Sequence, residues 1–193
     1  MEESTYRVPE GLPLPGQPEP ETRVRNSHLA RDLAGTVLPA IVIALTIHLF
    51  LAQATRVYGQ SMEPSIYPDQ RLVIEKLGYH LRPPSRGDVI VIHDPSGGSE
   101  LLIKRIVGLP GERVTVADGE VFIDGVALRE SYLDQITAGP SRTWVIPPQH
   151  VFVMGDNRGA SRDSRSFGPV PEEMIVGRAI LRYWPLEQAG MLH

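Results

Sequence analysis

The chain has 193 residues, a formal net charge of −4 and no cysteine. The mildly acidic balance argues against nucleic acid as a partner, since such domains present a basic face. The lack of cysteine excludes disulfides, Cys-ligated zinc and a thiol nucleophile together.

Up to about residue 22 the chain sets Pro9, Pro13, Pro15, Pro18 and Pro20 among Glu and Gly, with too few apolar groups to pack, and residues 1–32 read as a disordered cytoplasmic tail. From Leu33 to Thr55 there is no charge, and ~20 helical residues at ~1.5 Å each cover the ~30 Å hydrocarbon core. Leu38, Ile41, Val42, Ile43 and Leu45 suit lipid, and Pro39 is tolerated in membrane helices. A buried core helix would be broken by polar residues sooner. A cleaved secretory signal, for which Ala52-Gln53-Ala54 offers a small-x-small site, would have a shorter apolar stretch and no long tail before it. The expectation is one transmembrane anchor over 33–55. Arg23, Arg25 and Arg31 against a lone Arg56 put the N-terminus in the cytoplasm and residues 56–193 outside.

The remainder, about 140 residues, is enough for one domain with a real core. Its pattern is β. Short runs rich in β-branched or aromatic residues occur at 71–76, 88–93, 101–107, 113–116, 121–123, 151–154 and 179–184, mostly bounded by Gly, Pro or Asp. Asp118-Gly119 and Asp124-Gly125 fall where tight hairpin turns belong. Pro83-Pro84, Pro110-Gly111 and Pro147-Pro148 argue against long helices. The fold class expected is mainly β: an antiparallel domain with a smaller hairpin-rich insertion from about 108 to 149, plus the N-terminal helix.

Ser61 lies in the turn-like segment Gly59-Gln60-Ser61-Met62-Glu63-Pro64-Ser65 just after the apolar run. A hydroxyl nucleophile needs a base. His93 and His150 are available for a Ser-His-Asp arrangement, His93 at a strand end before a Pro-Ser-Gly-Gly loop and His150 opening a strand. Lys104 is the other candidate. With alternating faces it shares a side with Leu102 and Ile106, so hydrocarbon flanks the amine and lowers its pKa. A strand lysine whose ammonium snorkels to water is the plainer alternative.

Four segments, read in order, narrow the choice. They are Gly59-x-Ser61-Met62-x-Pro64-Ser65, Gly87-Asp88-Val89-Ile90-Val91, Lys104-Arg105-Ile106-Val107-Gly108-Leu109-Pro110-Gly111, and Gly155-Asp156-Asn157-Arg158-x-x-Ser161-x-Asp163-Ser164-Arg165. Together they resemble the signature boxes of bacterial type I signal peptidases, and with the apolar run the resemblance covers Leu33 to about Trp184. It implies a membrane-anchored serine endopeptidase that removes signal peptides from exported preproteins with a Ser-Lys dyad. Ser61 would be the nucleophile, Lys104 the general base, and Ser161 the hydroxyl that orients the lysine. Arg105, Asp156, Asp163 and Arg165 match positions that make structural ion pairs. Gly59 departs from those members with a serine there, whose hydroxyl adds to the oxyanion hole; the hole would then rest on the Ser61 backbone N–H.

The resemblance also implies small residues at the first and third positions before the cut, for which Met62, Leu102 and Ile103 are candidate pocket walls, and an extended substrate lying beside a strand. The partners implied are signal-peptide-bearing preproteins and the lipid bilayer, close to the export machinery, in a plasma membrane or a thylakoid. Ile66 and Tyr67 read either as lipid-facing or as core, and Trp144 and Trp184 as interface anchors or as packing. Asp156, Asn157 and Asp163 lack the spacing of a calcium loop, and no metal or cofactor is expected.

Overall fold

The computed structural model describes residues 25–46, 52–133, 136–137 and 139–192. The proline-rich segment lies outside these residues, as do 47–51 of the apolar run. The chain divides into two units, residues 1–44 and 45–193.

Helix α1, Arg25–Thr46, contains Pro39, and the described side chains from Gly35 to Leu45 are all exposed. Among the described residues no helix is long and apolar enough to cross a membrane; α1 opens on Arg25, Asn26, Ser27 and His28 and carries Arg31 and Asp32 before its apolar part. The expected 33–55 span also needs correcting at its far end. Ala52–Arg56 is a strand, β1, paired antiparallel with β2 (Arg71–Glu75) from Ala52 opposite Glu75 to Arg56 opposite Arg71. The backbone hydrogen bonds that make it a strand come from a partner about twenty residues away, which hydropathy does not register.

The rest of the chain builds two antiparallel sheets. β3 (Val89–His93), β4 (Leu101–Gly108), β9 (His150–Met154), β10 (Val170–Pro171) and β11 (Ile175–Trp184) join β1 and β2 in the order β1-β2-β11-β3-β4-β9-β10, with β12 (Gly190–Met191) added on β11. The second sheet runs β7-β6-β5-β8, from β5 (Arg113–Ala117), β6 (Glu120–Ile123), β7 (Val126–Ala127) and β8 (Arg142–Val145). Its two hairpins turn on two residues each. Asp118-Gly119 and Asp124-Gly125 all have positive φ, 52° for the aspartates and 85° for the glycines, the conformation that matches the twist of the flanking strands. Two four-residue helices, α2 (Gly78–Leu81) and α3 (Ser164–Phe167), complete the elements.

Alternation along β2 buries Leu72 and Ile74 on one side. β4 behaves differently, because from Lys104 to Gly108 every residue is buried. Ile106 joins Ile90, Ile92, Val151 and Val153, Val107 joins Val114 and Phe152, and Ile103 packs on Val57, Met62, Ile66 and Leu72. A strand covered on both faces gives a lysine in its middle no short route to water. Ile66 is core with none of its surface exposed, whereas Tyr67 is exposed. Trp144 packs on Phe152 with ring centroids 4.9 Å apart, and Trp184 is half exposed beneath the Arg71 guanidinium.

Candidate active site

Sheet pairing assembles the site from three places in the sequence. β3 and β9 flank β4, with Ile90 opposite Lys104 and Met154 opposite Arg105, so the loop that follows β9 starts beside the lysine. The Ser61 turn is held by Ile66 N–H donating to the Met62 carbonyl (2.9 Å) and by burial of Met62 and Ile66. It is tied to the loop after β9 where Asn157 N–H donates to the Ser61 carbonyl at 3.0 Å.

Lys104 is 3% exposed. Its Nζ donates to Ser61 Oγ at 2.9 Å and to the Ile103 carbonyl at 2.8 Å. Burial brings the amine down from 10.5 to about 8; Asp163 works against this, Arg162 works with it, and Asp156 works against it. The result is an amine in hydrogen-bond reach of a serine hydroxyl, with a proton it can lose near neutral pH. His93 is exposed at the end of β3, and the His150 ring bonds the Pro148 carbonyl at 2.8 Å through Nδ1. Among the described residues Ser61 Oγ is paired with Lys104, not with a histidine.

Ser161 is where the site differs from expectation. Its Oγ is buried and has no hydrogen-bond partner among the described residues, and the second bond of the amine goes to the Ile103 carbonyl. The hydroxyl sits against Gly155. A Cβ on that glycine would lie 2.3 Å from Ser161 Oγ and 2.4 Å from the Ser61 carbonyl. Gly155→Ala is therefore expected to push the Ser61 turn away from Lys104. Overpacking of this kind costs about 1–3 kcal/mol; a melting curve lowered accordingly, with a drop in cleavage rate of at least about tenfold, checks it, and an unchanged rate would show that the contact does not position Ser61.

The four charged residues named from the sequence form two pairs. Arg105 grips Asp156 with both prongs, Nε to Oδ1 at 3.0 Å and Nη2 to Oδ2 at 2.7 Å, and donates to the Gly87 carbonyl at 2.9 Å. Their side chains are 3% and 1% exposed. Asp163 accepts from Arg165 Nε at 2.8 Å and Nη2 at 2.9 Å, and its Oδ2 also takes the Gly155 N–H at 3.0 Å. Arg165 in turn donates to the Arg158 carbonyl at 2.7 Å. A glycine-rich loop is thereby fixed by buried carboxylates, not by an apolar core.

A cavity of about 460 Å³ opens at Ser61 and Lys104, walled by Val91, Leu101, Leu102, Ile103 and Tyr58. Leu102 and Ile103, two of the three residues expected as pocket walls, line this cavity. Met62 does not: it is 1% exposed and faces the core with Val57 and Leu72. At this tight turn the residue after Ser61 points inward, and position in the sequence alone gives no direction. Gly59 has φ +80° and open space where a side chain would go.

Two arginines of the loop after β9 also have acidic partners. Arg158 is buried, paired with Glu130 through Nη1 at 3.0 Å and hydrogen-bonded to Thr137, and Glu130 also accepts from Tyr132 at 2.7 Å. The Tyr132 ring stacks against Arg105, 4.1 Å from centroid to Cζ. Arg162 pairs with Asp94. The only sequence signal for Arg158 is its place inside the Gly155 box; its partner lies in a segment with no pattern of its own.

Residues 30–184 match the family described as signal peptidase, peptidase S26. Signal peptidase I of Leptolyngbya laminosa is 39% identical over 189 residues, covering 92% of this chain and 91% of that protein. The probable signal peptidase I-2 of Synechocystis is 37% identical over 83% of this chain and 76% of its own length. The thylakoidal processing peptidase 1 of Arabidopsis thaliana is 31% identical over 79% of this chain and 48% of its own. The chain belongs to the signal peptidase family, peptidase S26, and is a type I signal peptidase, a serine endopeptidase that cleaves signal peptides.

Proposed function

We propose that this chain is a membrane-anchored endopeptidase that cuts exported preproteins after a small-x-small site, with Ser61 as nucleophile and Lys104 as general base. The 2.9 Å contact between Lys104 Nζ and Ser61 Oγ, made by an amine that burial has brought to about 8, carries the proposal. At pH 7 about a tenth of such amines are neutral, against fewer than about one in a thousand for an ordinary lysine. Neutral Nζ takes the Ser61 proton as Oγ attacks the scissile carbonyl. The ammonium then gives that proton to the departing amine, leaving an acyl ester on Ser61. A water next attacks the ester as Nζ takes its proton, and the proton returns to Oγ when the acid product leaves. The developing oxyanion takes the Ser61 N–H; at Gly59 no side chain adds a second donor.

The apolar wall of the cavity supports the choice of substrate. Leu102 and Ile103 line the cavity together with Ser61, an apolar wall that suits small apolar side chains before the cut, and the start of β4, paired with β3 on one side, offers an edge for an extended peptide. Anchoring is assigned to the apolar run from Leu33 to Leu51, ending where β1 begins; ~19 residues at ~1.5 Å reach about 28 Å, close to the hydrocarbon thickness. The arginine-rich flank before it keeps the tail in the cytoplasm and the peptidase domain outside, next to emerging preproteins in a plasma or thylakoid membrane.

Cleavage of a preprotein whose signal ends in Ala-x-Ala, by the full chain in vesicles, is expected to rise with pH through about 8 and to hold into the alkaline range. A tryptophan immediately before the cut should abolish product. A rate that does not change between about pH 6 and 9 would remove Lys104 as the base.

A further inference from the structure

The turn between β3 and β4 closes on a carboxylate. Asp94 Oδ1 accepts the Ser96 N–H at 2.9 Å, and a Cβ on Gly98 would come within 2.6 Å of Oδ2. Oδ2 accepts from Arg162 Nη2 at 2.5 Å, and Arg162 Nη1 donates to Ser96 Oγ at 2.9 Å. The guanidinium, with help from the Ser96 N–H, holds the Asp94 carboxyl below the usual carboxylate range. One arginine thus spans two loops far apart in sequence. On one side of it the chain runs from this turn directly into Glu100, Leu101, Leu102 and Ile103, which line the substrate cavity. On the other side it sits between Ser161 and Asp163, and Asp163 is fully buried.

We propose that Arg162 is a positioning residue for the reaction, clamping the turn before β4 onto the loop after β9 and so holding the cavity wall against the Ser61–Lys104 pair. The inference rests on the dyad proposed above. Its charge has a second effect. Asp163 and Asp156 face Lys104 and favour the ammonium; Arg162 opposes them, and Arg162 itself faces Asp94 and Glu100. Removing the guanidinium should therefore loosen the substrate wall and restore the proton to the amine.

The test is the pH dependence of kcat/KM, with KM and kcat separated, for the full chain in vesicles acting on an Ala-x-Ala preprotein. R162Q is expected to move the acid limb up by about half a pH unit, about threefold in kcat/KM at pH 7, and to raise KM. R162K should return the limb towards wild type while KM stays high, because an ammonium cannot bond Asp94 and Ser96 in the same fork. D94N should raise KM without moving the limb upward, and R162Q/D94N should raise KM no further than R162Q alone. If R162Q overlays wild type in both limb and KM, or if the R162Q and D94N effects on KM multiply, the clamp is overturned. Should R162Q fail to fold, unchanged KM in both R162K and D94N overturns it equally. Lys104→Ala run alongside separates the two levels: wild-type cleavage by that variant sinks the dyad, whereas dependence on Lys104 with no effect of Arg162 sinks only the clamp.

Discussion

Ser61→Ala and Lys104→Ala are each expected to slow release of mature product by at least about 10⁴-fold, with the double variant no slower than either single one. The reason is the 2.9 Å contact: in the proposed dyad the hydroxyl is inert until the amine takes its proton, and the amine's later proton transfers all serve the bond that Ser61 has formed, so the pair works as a unit. Lys104→Arg should be as inactive as the alanine variant, because a guanidinium stays charged at any pH the protein survives. His93→Ala and His150→Ala should stay within about twofold of wild type, the first being an exposed strand end and the second engaged with a backbone carbonyl. Single-turnover cleavage of a preprotein measures all six. Cleavage by Lys104→Ala together with its loss in either histidine variant would move the base from the lysine to that histidine.

The second large effect is on stability. Arg105→Ala strands the Asp156 carboxylate, 1% exposed, whose side-chain partner among the described residues is this arginine. Breaking a buried pair from one side costs about 3–5 kcal/mol, a large share of the roughly 5–15 kcal/mol that holds a domain together. The cost here falls on more than the pair, since Arg105 also holds the Gly87 carbonyl and stacks on Tyr132. Urea unfolding of the peptidase domain should show the midpoint lowered in Arg105→Ala and in Asp156→Ala, and Arg105→Ala/Asp156→Ala less destabilised than the two single losses added. A loss below about 1 kcal/mol for Arg105→Ala would mean that the carboxylate finds another partner or takes a proton.

Lys104 could be noticed from sequence because its neighbours are local: an apolar strand with period two puts Leu102 and Ile106 beside it, though a snorkelling ammonium stayed open until the family's boxes were read, and it is cover on both faces of β4 that buries it. The hairpins were legible for a similar reason, as Asp118-Gly119 and Asp124-Gly125 specify their own backbone conformation. What escaped depends on partners remote in the chain. β1 looks like the end of an apolar run until β2 pairs with it. β8, between Pro140 and Pro147, has too short a run to declare itself before β5 supplies its ladder. The inward turn of Met62, the burial of Arg158 against Glu130 and the unpartnered Ser161 hydroxyl are facts of side-chain direction, which neither hydropathy nor motif spacing encodes. The charged pairs of the Gly155 loop were legible only through the family's boxes, since nothing in the local pattern says that Asp156 meets Arg105 and Asp163 meets Arg165.

Lys104 and Arg105 are consecutive cations on opposite faces of β4, one facing the serine and the other facing Asp156. A slip of β4 by a single residue would exchange them. The sheet would keep two positive charges in the same two places, yet the one beside Ser61 would be a guanidinium that never gives up its proton. Chemistry in this fold is therefore a matter of strand alignment: the two-pronged grip of Arg105 on Asp156, a geometry that an ammonium cannot copy, works as a registration pin that keeps the titratable cation opposite the hydroxyl.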